Sequence, residues 1–120
     1  MKRRTLVIGA SLNPNKYSNI AIKRLIDSKV ETFAIGLREG TVGNVIIETE
    51  KKYFTNIDTV TLYLNPERQK KYYDYILSLQ PNRVIFNPGT ENEEFINLLK
   101  ENGIESEIAC TLVLLSTRQY

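Results

Sequence analysis

The sequence contains no histidine and only one cysteine among its 120 residues. Without histidine, the chain lacks the commonest general base and metal ligand of proteins, which argues against most hydrolytic and zinc-dependent mechanisms. Cys110 has no second thiol with which to form an internal disulfide, as is typical of a protein from a reducing compartment. These two shortages favour a binding protein over an enzyme, and we expect no metal site.

Long apolar runs and an excess of one charge are also missing. No stretch approaches the roughly 20 apolar residues of a membrane-spanning helix. Residues 1–4 lead into a strand-like segment without the apolar stretch of a signal peptide. We therefore expect a cytoplasmic protein with no membrane partner. The 16 basic and 14 acidic residues nearly balance, so the composition does not indicate a nucleic-acid partner either.

An apolar content of 42% in a chain of this length predicts one folded domain over residues 1–120. Four segments have the apolar or alternating pattern of strands, namely residues 5–8, 30–35, 59–64 and 83–86. Helical spacing of apolar residues follows the first, third and fourth of them. This alternation predicts an α/β domain with a mainly parallel sheet of four or five strands.

Two parts of the chain are less clear. Residues 36–56 fit a small extra strand or an irregular loop equally well, because glycines interrupt any period there. Residues 105–108 have the pattern of a short last strand near the sheet edge, and residues 110–116 are apolar without a clear period. The strand count therefore depends on these segments.

Several residues predict helix ends. Asn65 is a candidate N-cap for a helix that runs to about Leu79. Thr90 and Glu93 have the spacing of a capping box, and Gly103 stands where a C-cap glycine is expected.

The helix after the first strand has the N-terminus best suited to an anion. In parallel sheets, ligands bind at the carboxyl ends of the strands, where helix N-termini carry partial positive charge. Residues 16–22 contain no acid, whereas the helix after Gly89 starts with three glutamates. Small residues and hydroxyls near Gly9 suit a phosphate, although Ser18 as a plain N-cap and Gly9 as a strand end explain the pattern equally well. The G-x-G-x-x-G signature is absent.

The residues after the second strand bear on the kind of nucleotide. An NAD site normally places an acid there to hold the ribose hydroxyls, but this chain has Gly36, Leu37 and Arg38. An arginine favours a phosphorylated ribose, as in NADP or coenzyme A. An ordinary exposed loop arginine is the alternative.

Three stretches in this order, with Cys110 near the end, resemble the small stand-alone coenzyme A-binding proteins: VIGASLNPNKYSNIAIKRL, FAIGLR and VIFNPGTENEEFINLLKENGIE. Those proteins are similar to the coenzyme A-binding domain of the succinyl-CoA synthetase alpha subunit. The resemblance implies a Rossmann-like three-layer domain with coenzyme A as its cofactor. The family's basic residue after the second strand is kept as Arg38, but its Asn-Pro pair is lost.

The resemblance also implies where the cofactor binds. It places the diphosphate on the first loop and helix start, at Gly9, Ala10, Ser11, Lys16, Tyr17, Ser18 and Asn19. The further contacts predicted on neighbouring loops are Gly36, Arg38, Asn65, Asn87, Pro88 and Gly89.

These observations favour a non-catalytic protein that binds coenzyme A or an acyl-CoA. One alternative is an NADP-binding Rossmann module. Another is a ligand-free protein-interaction domain that docks through the tyrosine-rich segment KKYYDYI. Tyr72, Tyr73 and Tyr75 cannot all face the core, so at least one is expected to be exposed or at a contact, unless the helix flank is covered by its own neighbours. The sequence defines no particular protein partner.

Overall fold

The computed structural model describes residues 3–120 and contains seven strands. The strands are β1 (Thr5–Ala10), β2 (Thr32–Gly36), β3 (Gly40–Val42), β4 (Val45–Glu48), β5 (Thr59–Leu62), β6 (Arg83–Phe86) and β7 (Glu105–Ile108). The helices are α1 (Tyr17–Asp27), α2 (Pro66–Gln69), α3 (Tyr73–Leu79), α4 (Glu93–Glu101) and α5 (Thr111–Ser116), with a 3-10 turn at Lys70–Tyr72.

All strands form one sheet in the order β3-β4-β2-β1-β5-β6-β7. Every neighbouring pair is parallel except β3 and β4, which form an antiparallel hairpin around Gly43 at φ +60°. The mainly parallel α/β fold is confirmed, but the predicted count of four or five strands is too low. The hairpin comes from the ambiguous residues 36–56, where strands of three and four residues are too short to show a period.

Helices cover both faces of the sheet and make three layers. Leu6 and Ile8 of β1 point to the face covered by α3 and α4, and Val7 points to the opposite face with α1. Successive side chains of a strand alternate between faces, and here both faces are buried, so β1 is a continuous apolar run. The Rossmann-like three-layer architecture is therefore confirmed. Within residues 3–120, no helix is both long and apolar enough to cross a lipid bilayer.

The helix that was predicted to run from Asn65 to about Leu79 is interrupted. Its N-cap is confirmed, since Asn65 Oδ1 accepts the Arg68 N–H at 2.9 Å. The middle winds more tightly at Lys70–Tyr72, so that α2 and α3 are separate helices.

The predicted capping box of Thr90 and Glu93 is wrong. The N-cap of α4 is Asn92, whose Oδ1 accepts the Phe95 N–H at 3.1 Å. Thr90 instead closes the turn before the helix by donating its hydroxyl to the Asn87 carbonyl at 2.7 Å. Gly103 does follow the helix at φ +72°, as the sequence predicts.

Candidate functional site

The strand order reverses beside β1, because the chain leaves β1 toward β2 on one side and later returns to β5 on the other. The loops that follow β1 and β5 diverge at the carboxyl edge of the sheet, which is the usual position of a ligand crevice in such folds. A cleft of about 770 Å³ opens at this edge. Its volume is in the range of roughly 300–1,000 Å³ typical of ligand pockets.

The cleft is lined by the loops after β1, β2, β5 and β6, by the start of α1, and by α2 with the 3-10 turn. The lining residues are Gly9, Ala10, Ser11, Leu12, Asn13, Lys16, Tyr17, Ser18, Gly36, Leu37, Arg38, Tyr63, Leu64, Asn65, Arg68, Lys71, Tyr72, Pro88, Gly89 and Thr90.

Two glycines allow the loop after β1 to lie close to both neighbouring strands. Gly9 has φ +94°, and a Cβ there would stand 2.8 Å from the Tyr63 carbonyl oxygen. A Cβ at Gly36 would stand 2.3 Å from the Ala10 carbonyl oxygen. Neither position has room for a side chain, so a residue other than glycine at either one would displace the loop that forms the floor of the cleft.

The N-terminus of α1 opens into the cleft without an acidic residue of its own. Its N-cap residue is Lys16, no side chain caps the helix, and the first turn contains no acid. The N–H groups of a first helical turn have no acceptors within the helix and carry partial positive charge. The alternative that Ser18 is a plain N-cap is wrong, since Ser18 lies inside the helix and is buried. This helix start is therefore suited to an external anion.

The charged residues of the lining all have the same sign. Four of them are basic, Lys16, Arg38, Arg68 and Lys71, and none is acidic. Within residues 3–120, these four cations form no salt bridge, whereas neighbours such as Lys70 do. An anionic ligand would meet uncompensated positive charge in this cleft.

The sequence did not single out Arg68 and Lys71. Glu67 is next to Arg68 in the sequence, and a pairing of the two would neutralise the Arg68 charge. In the structure, Glu67 is exposed and pairs with Lys70 at 3.4 Å, which leaves Arg68 in the lining. No sequence signal singles out this pair, because Lys70 at i+3 and Lys71 at i+4 are both spaced to pair with Glu67 on a helix.

Eleven of the thirteen predicted contacts line the cleft, which the structure brings together from loops far apart in the chain. They are Gly9, Ala10, Ser11, Lys16, Tyr17, Ser18, Gly36, Arg38, Asn65, Pro88 and Gly89.

The other two predicted contacts, Asn19 and Asn87, lie behind the cleft wall. Asn19 is buried in α1 and donates its side-chain N–H to the Ser11 carbonyl at 2.9 Å, so it braces the loop after β1 from behind. Asn87 donates to the Leu62 carbonyl at 2.9 Å and accepts the Thr111 N–H at 2.9 Å. Its amide is therefore engaged in holding β5 and α5 together.

Tyr63 is the most notable lining residue that sequence reasoning missed. Its hydroxyl is buried without a hydrogen-bond partner in the described part of the chain, and the neighbouring hydroxyls of Thr61 and Thr111 bond to each other at 2.8 Å. Burial raises the pKa of Tyr63 to about 12, so the side chain is neutral at physiological pH. The sequence predicted a strand as far as residue 64, but β5 ends at Leu62 and frees Tyr63 for the site.

Cys110 and the tyrosines of the segment KKYYDYI are buried or half-buried. Cys110 is half-buried at the N-cap of α5 and does not line the cleft. Tyr72 is buried, while Tyr73 and Tyr75 are half-buried, so the three tyrosines do not all face the core, as the sequence predicts. Tyr73 stacks on Phe95 with ring centroids 4.3 Å apart. Within residues 3–120, no group of three or more cysteines and acids could hold a metal ion.

Comparison with known proteins adds two findings. A family model described as "CoA binding domain" matches residues 3–116. No curated protein matches the chain.

Solved structures share the fold over nearly the full length. One is the crystal structure of a protein described as uncharacterized, which is 47% identical to this chain. The match covers 100% of this chain and 99% of that protein, with a TM-score of 0.97. A hypothetical protein from Pyrococcus horikoshii is 20% identical over 98% of this chain and 84% of its own, with a TM-score of 0.86. A protein from Thermus thermophilus is 17% identical over 98% of this chain and 91% of its own, with a TM-score of 0.81. The last two similarities concern the fold alone.

Proposed function

The chain belongs to the CoA binding domain family, and from this membership we propose that it is a non-catalytic binding protein for coenzyme A or an acyl-CoA. One observation carries the proposal. The cleft at the switch point of the sheet is lined by four unpaired cations and by no acid within residues 3–120. Coenzyme A bears a diphosphate and a ribose 3′-phosphate, and a cleft of this charge is suited to such a ligand.

The diphosphate is assigned to the start of α1. The uncapped first turn of α1, the Lys16 side chain and the close-lying loop from Gly9 to Ser11 support this assignment. Backbone N–H groups at a helix start bind phosphate oxygens without needing side chains at every contact.

The ribose 3′-phosphate is assigned to Arg38. This residue lines the cleft directly after β2, one strand away from the diphosphate position, and has no acidic partner within residues 3–120. A guanidinium can bind a phosphate through two parallel N–H donors.

The absence of catalysis is part of the proposal. The chain has no histidine, and its one thiol, Cys110, does not line the cleft. A nucleophile needs an adjacent base or a lowered pKa to act at neutral pH, and the lining contains neither a histidine nor a carboxylate that could serve as that base.

NADP is the second candidate ligand, because Arg38 also suits a 2′-phosphate. Thermal unfolding in the presence of coenzyme A, dephospho-coenzyme A, NADP and NAD separates the candidates. At about 100 times its Kd, a ligand stabilises the folded state by about 2.7 kcal/mol. For a domain of this size, that raises Tm by several degrees.

We expect the largest shift from coenzyme A, a smaller one from dephospho-coenzyme A, and little from NAD. A larger shift from NADP than from coenzyme A would favour the second candidate. No shift from any of the four compounds would overturn the proposal and leave a ligand-free interaction domain. Equal shifts from coenzyme A and dephospho-coenzyme A would remove Arg38 from its assigned role.

A further inference from the structure

The wall of the cleft formed by α2 and the 3-10 turn carries two cations, and the ligand contacts assigned above leave them unused. Arg68 and Lys71 line the cleft on the side of β5 and β6, whereas Arg38 lines it on the side of β2. The start of α1 lies between the two sides, over β1. Adjacent strands are about 4.8 Å apart, so Arg38 lies on one side of the start of α1 and Arg68 and Lys71 lie on the other.

The two side chains are free to meet a ligand. Within residues 3–120, neither forms a salt bridge, and the one acid in the same turn, Glu67, is held by Lys70. The Lys71 ammonium lies 5.7 Å from the ring centroid of Tyr72, a buried residue that also lines the cleft. This contact holds the Lys71 side chain against the wall.

The backbone that carries Arg68 and Lys71 is fixed by a buried side chain. Gln69 is fully buried and donates its amide N–H groups to the Leu64 and Thr90 carbonyls, each at 2.8 Å. It also accepts an N–H from Asn92 at 2.9 Å. The wall is thereby attached to the loops after β5 and β6, and little ordering of its backbone is needed when a ligand binds.

We propose that Arg68 and Lys71 form a second anion subsite, which binds an anionic group of the ligand on the far side of the diphosphate from Arg38. The inference rests on the proposed function. With the ribose 3′-phosphate at Arg38, the neutral pantetheine arm extends toward Arg68 and Lys71, and the anion that fits there is a carboxylate at the end of the acyl group. If the ligand lies in the opposite direction, the same subsite binds the 3′-phosphate. Both are oxyanions that a guanidinium and an ammonium recognise.

The test is isothermal titration calorimetry with four ligands that differ in one anionic group at a time. Coenzyme A is compared with dephospho-coenzyme A, and glutaryl-CoA with pentanoyl-CoA, whose acyl chain has the same length but no carboxylate. The protein variants are Arg68→Gln and Lys71→Gln. Lys100→Gln is the matched control, because it removes the same charge at a residue outside the cleft lining that forms no salt bridge within residues 3–120.

We expect Arg68→Gln to increase Kd by about tenfold for the ligand that carries the recognised anion. The matching ligand without that anion should bind Arg68→Gln as tightly as it binds the unaltered protein. Lys71→Gln should act in the same direction. A loss confined to glutaryl-CoA identifies the acyl carboxylate, and a loss for coenzyme A that disappears with dephospho-coenzyme A identifies the 3′-phosphate. The Lys100→Gln control should bind all four ligands as the unaltered protein does.

Two results would overturn the second subsite alone. In one, Arg68→Gln and Lys71→Gln bind all four ligands like Lys100→Gln. In the other, the two substitutions weaken the binding of all four ligands equally, which would mean that Arg68 and Lys71 contact the diphosphate that all four share. Failure of the unaltered protein to bind coenzyme A would overturn the proposed function and the subsite together, so the two failures are distinguishable.

Discussion

Gly36 is a residue at which one added methyl group is expected to change both stability and binding. The Cβ of an alanine there would lie 2.3 Å from the carbonyl oxygen of Ala10, the last residue of β1 before the loop under the proposed diphosphate. Gly36 does not have a positive φ, so the effect comes from contact with the Ala10 backbone and not from a left-handed conformation.

Gly36→Ala should lower the free energy of unfolding by about 1–3 kcal/mol, because backbone atoms must move to accept the methyl group. Urea denaturation measures this change. The affinity for coenzyme A should fall as well. Gly103→Ala is the matched control, since φ there is +72° but a Cβ would meet nothing within 4 Å. The control should lose about 1–2 kcal/mol of stability from backbone strain, while its coenzyme A affinity stays unchanged. An unchanged affinity of Gly36→Ala for coenzyme A would show that this loop is not part of the binding site.

Tyr63 offers a second prediction, through the pH dependence of stability. Burial raises its pKa in the folded protein to about 12, above its ordinary value of 10.0. Between these two values the unfolded chain loses this proton and the folded chain keeps it, so stability is fully present below pH 10 and decreases toward pH 12. Urea denaturation between pH 9 and pH 12 should therefore show a shallower decline in Tyr63→Phe than in the unaltered protein. Parallel declines would contradict the assigned burial of this hydroxyl.

Among the elements, α1 and α4 differ in the charge and capping of their N-termini. Helix α4 starts with Glu93 and Glu94, and its N-cap is made by Asn92. Helix α1 has neither an acid in its first turn nor a side-chain cap. An acid in that turn would stabilise the helix and at the same time repel the phosphate that we place there.

Tyr17→Glu tests this trade-off, with Tyr17→Gln as the neutral control. Tyr17 is the first residue of α1, is 71% exposed and lines the cleft. Relative to the glutamine variant, the glutamate variant should gain about 0.3–1 kcal/mol in free energy of unfolding. Its Kd for coenzyme A should increase by about tenfold or more because of charge repulsion. Calorimetry and urea denaturation give both values. Equal affinities in the two variants would show that no phosphate lies at this helix start.

At the scale of the whole molecule, the sequence predicted the central sheet because its strands are buried on both faces. Residues of β1, β5 and β6 form apolar or alternating runs that need no knowledge of their neighbours. The hairpin of β3 and β4 could not be predicted in the same way. Its strands are short, and their pairing depends on contacts with β2.

The site was predictable where it follows from backbone rules and unpredictable where it depends on side-chain partners. Gly9, Lys16 and Arg38 follow directly from strand ends and helix starts at the carboxyl edge. Asn87 could not be excluded from the sequence, because the atoms that engage its amide lie on β5 and α5. Arg68 was missed for a similar reason, since only the structure shows that Glu67 pairs with Lys70 instead.

The central claim is that a phosphate group binds where β1 leads into α1. An NMR titration of the backbone amides with coenzyme A tests it most directly, because each amide reports on its own surroundings. We predict that the largest chemical-shift changes occur at residues 9–11 and 17–19, with smaller changes around Arg38 and Arg68. Saturable changes confined to other parts of the molecule, or no changes at all with excess coenzyme A, would contradict the account.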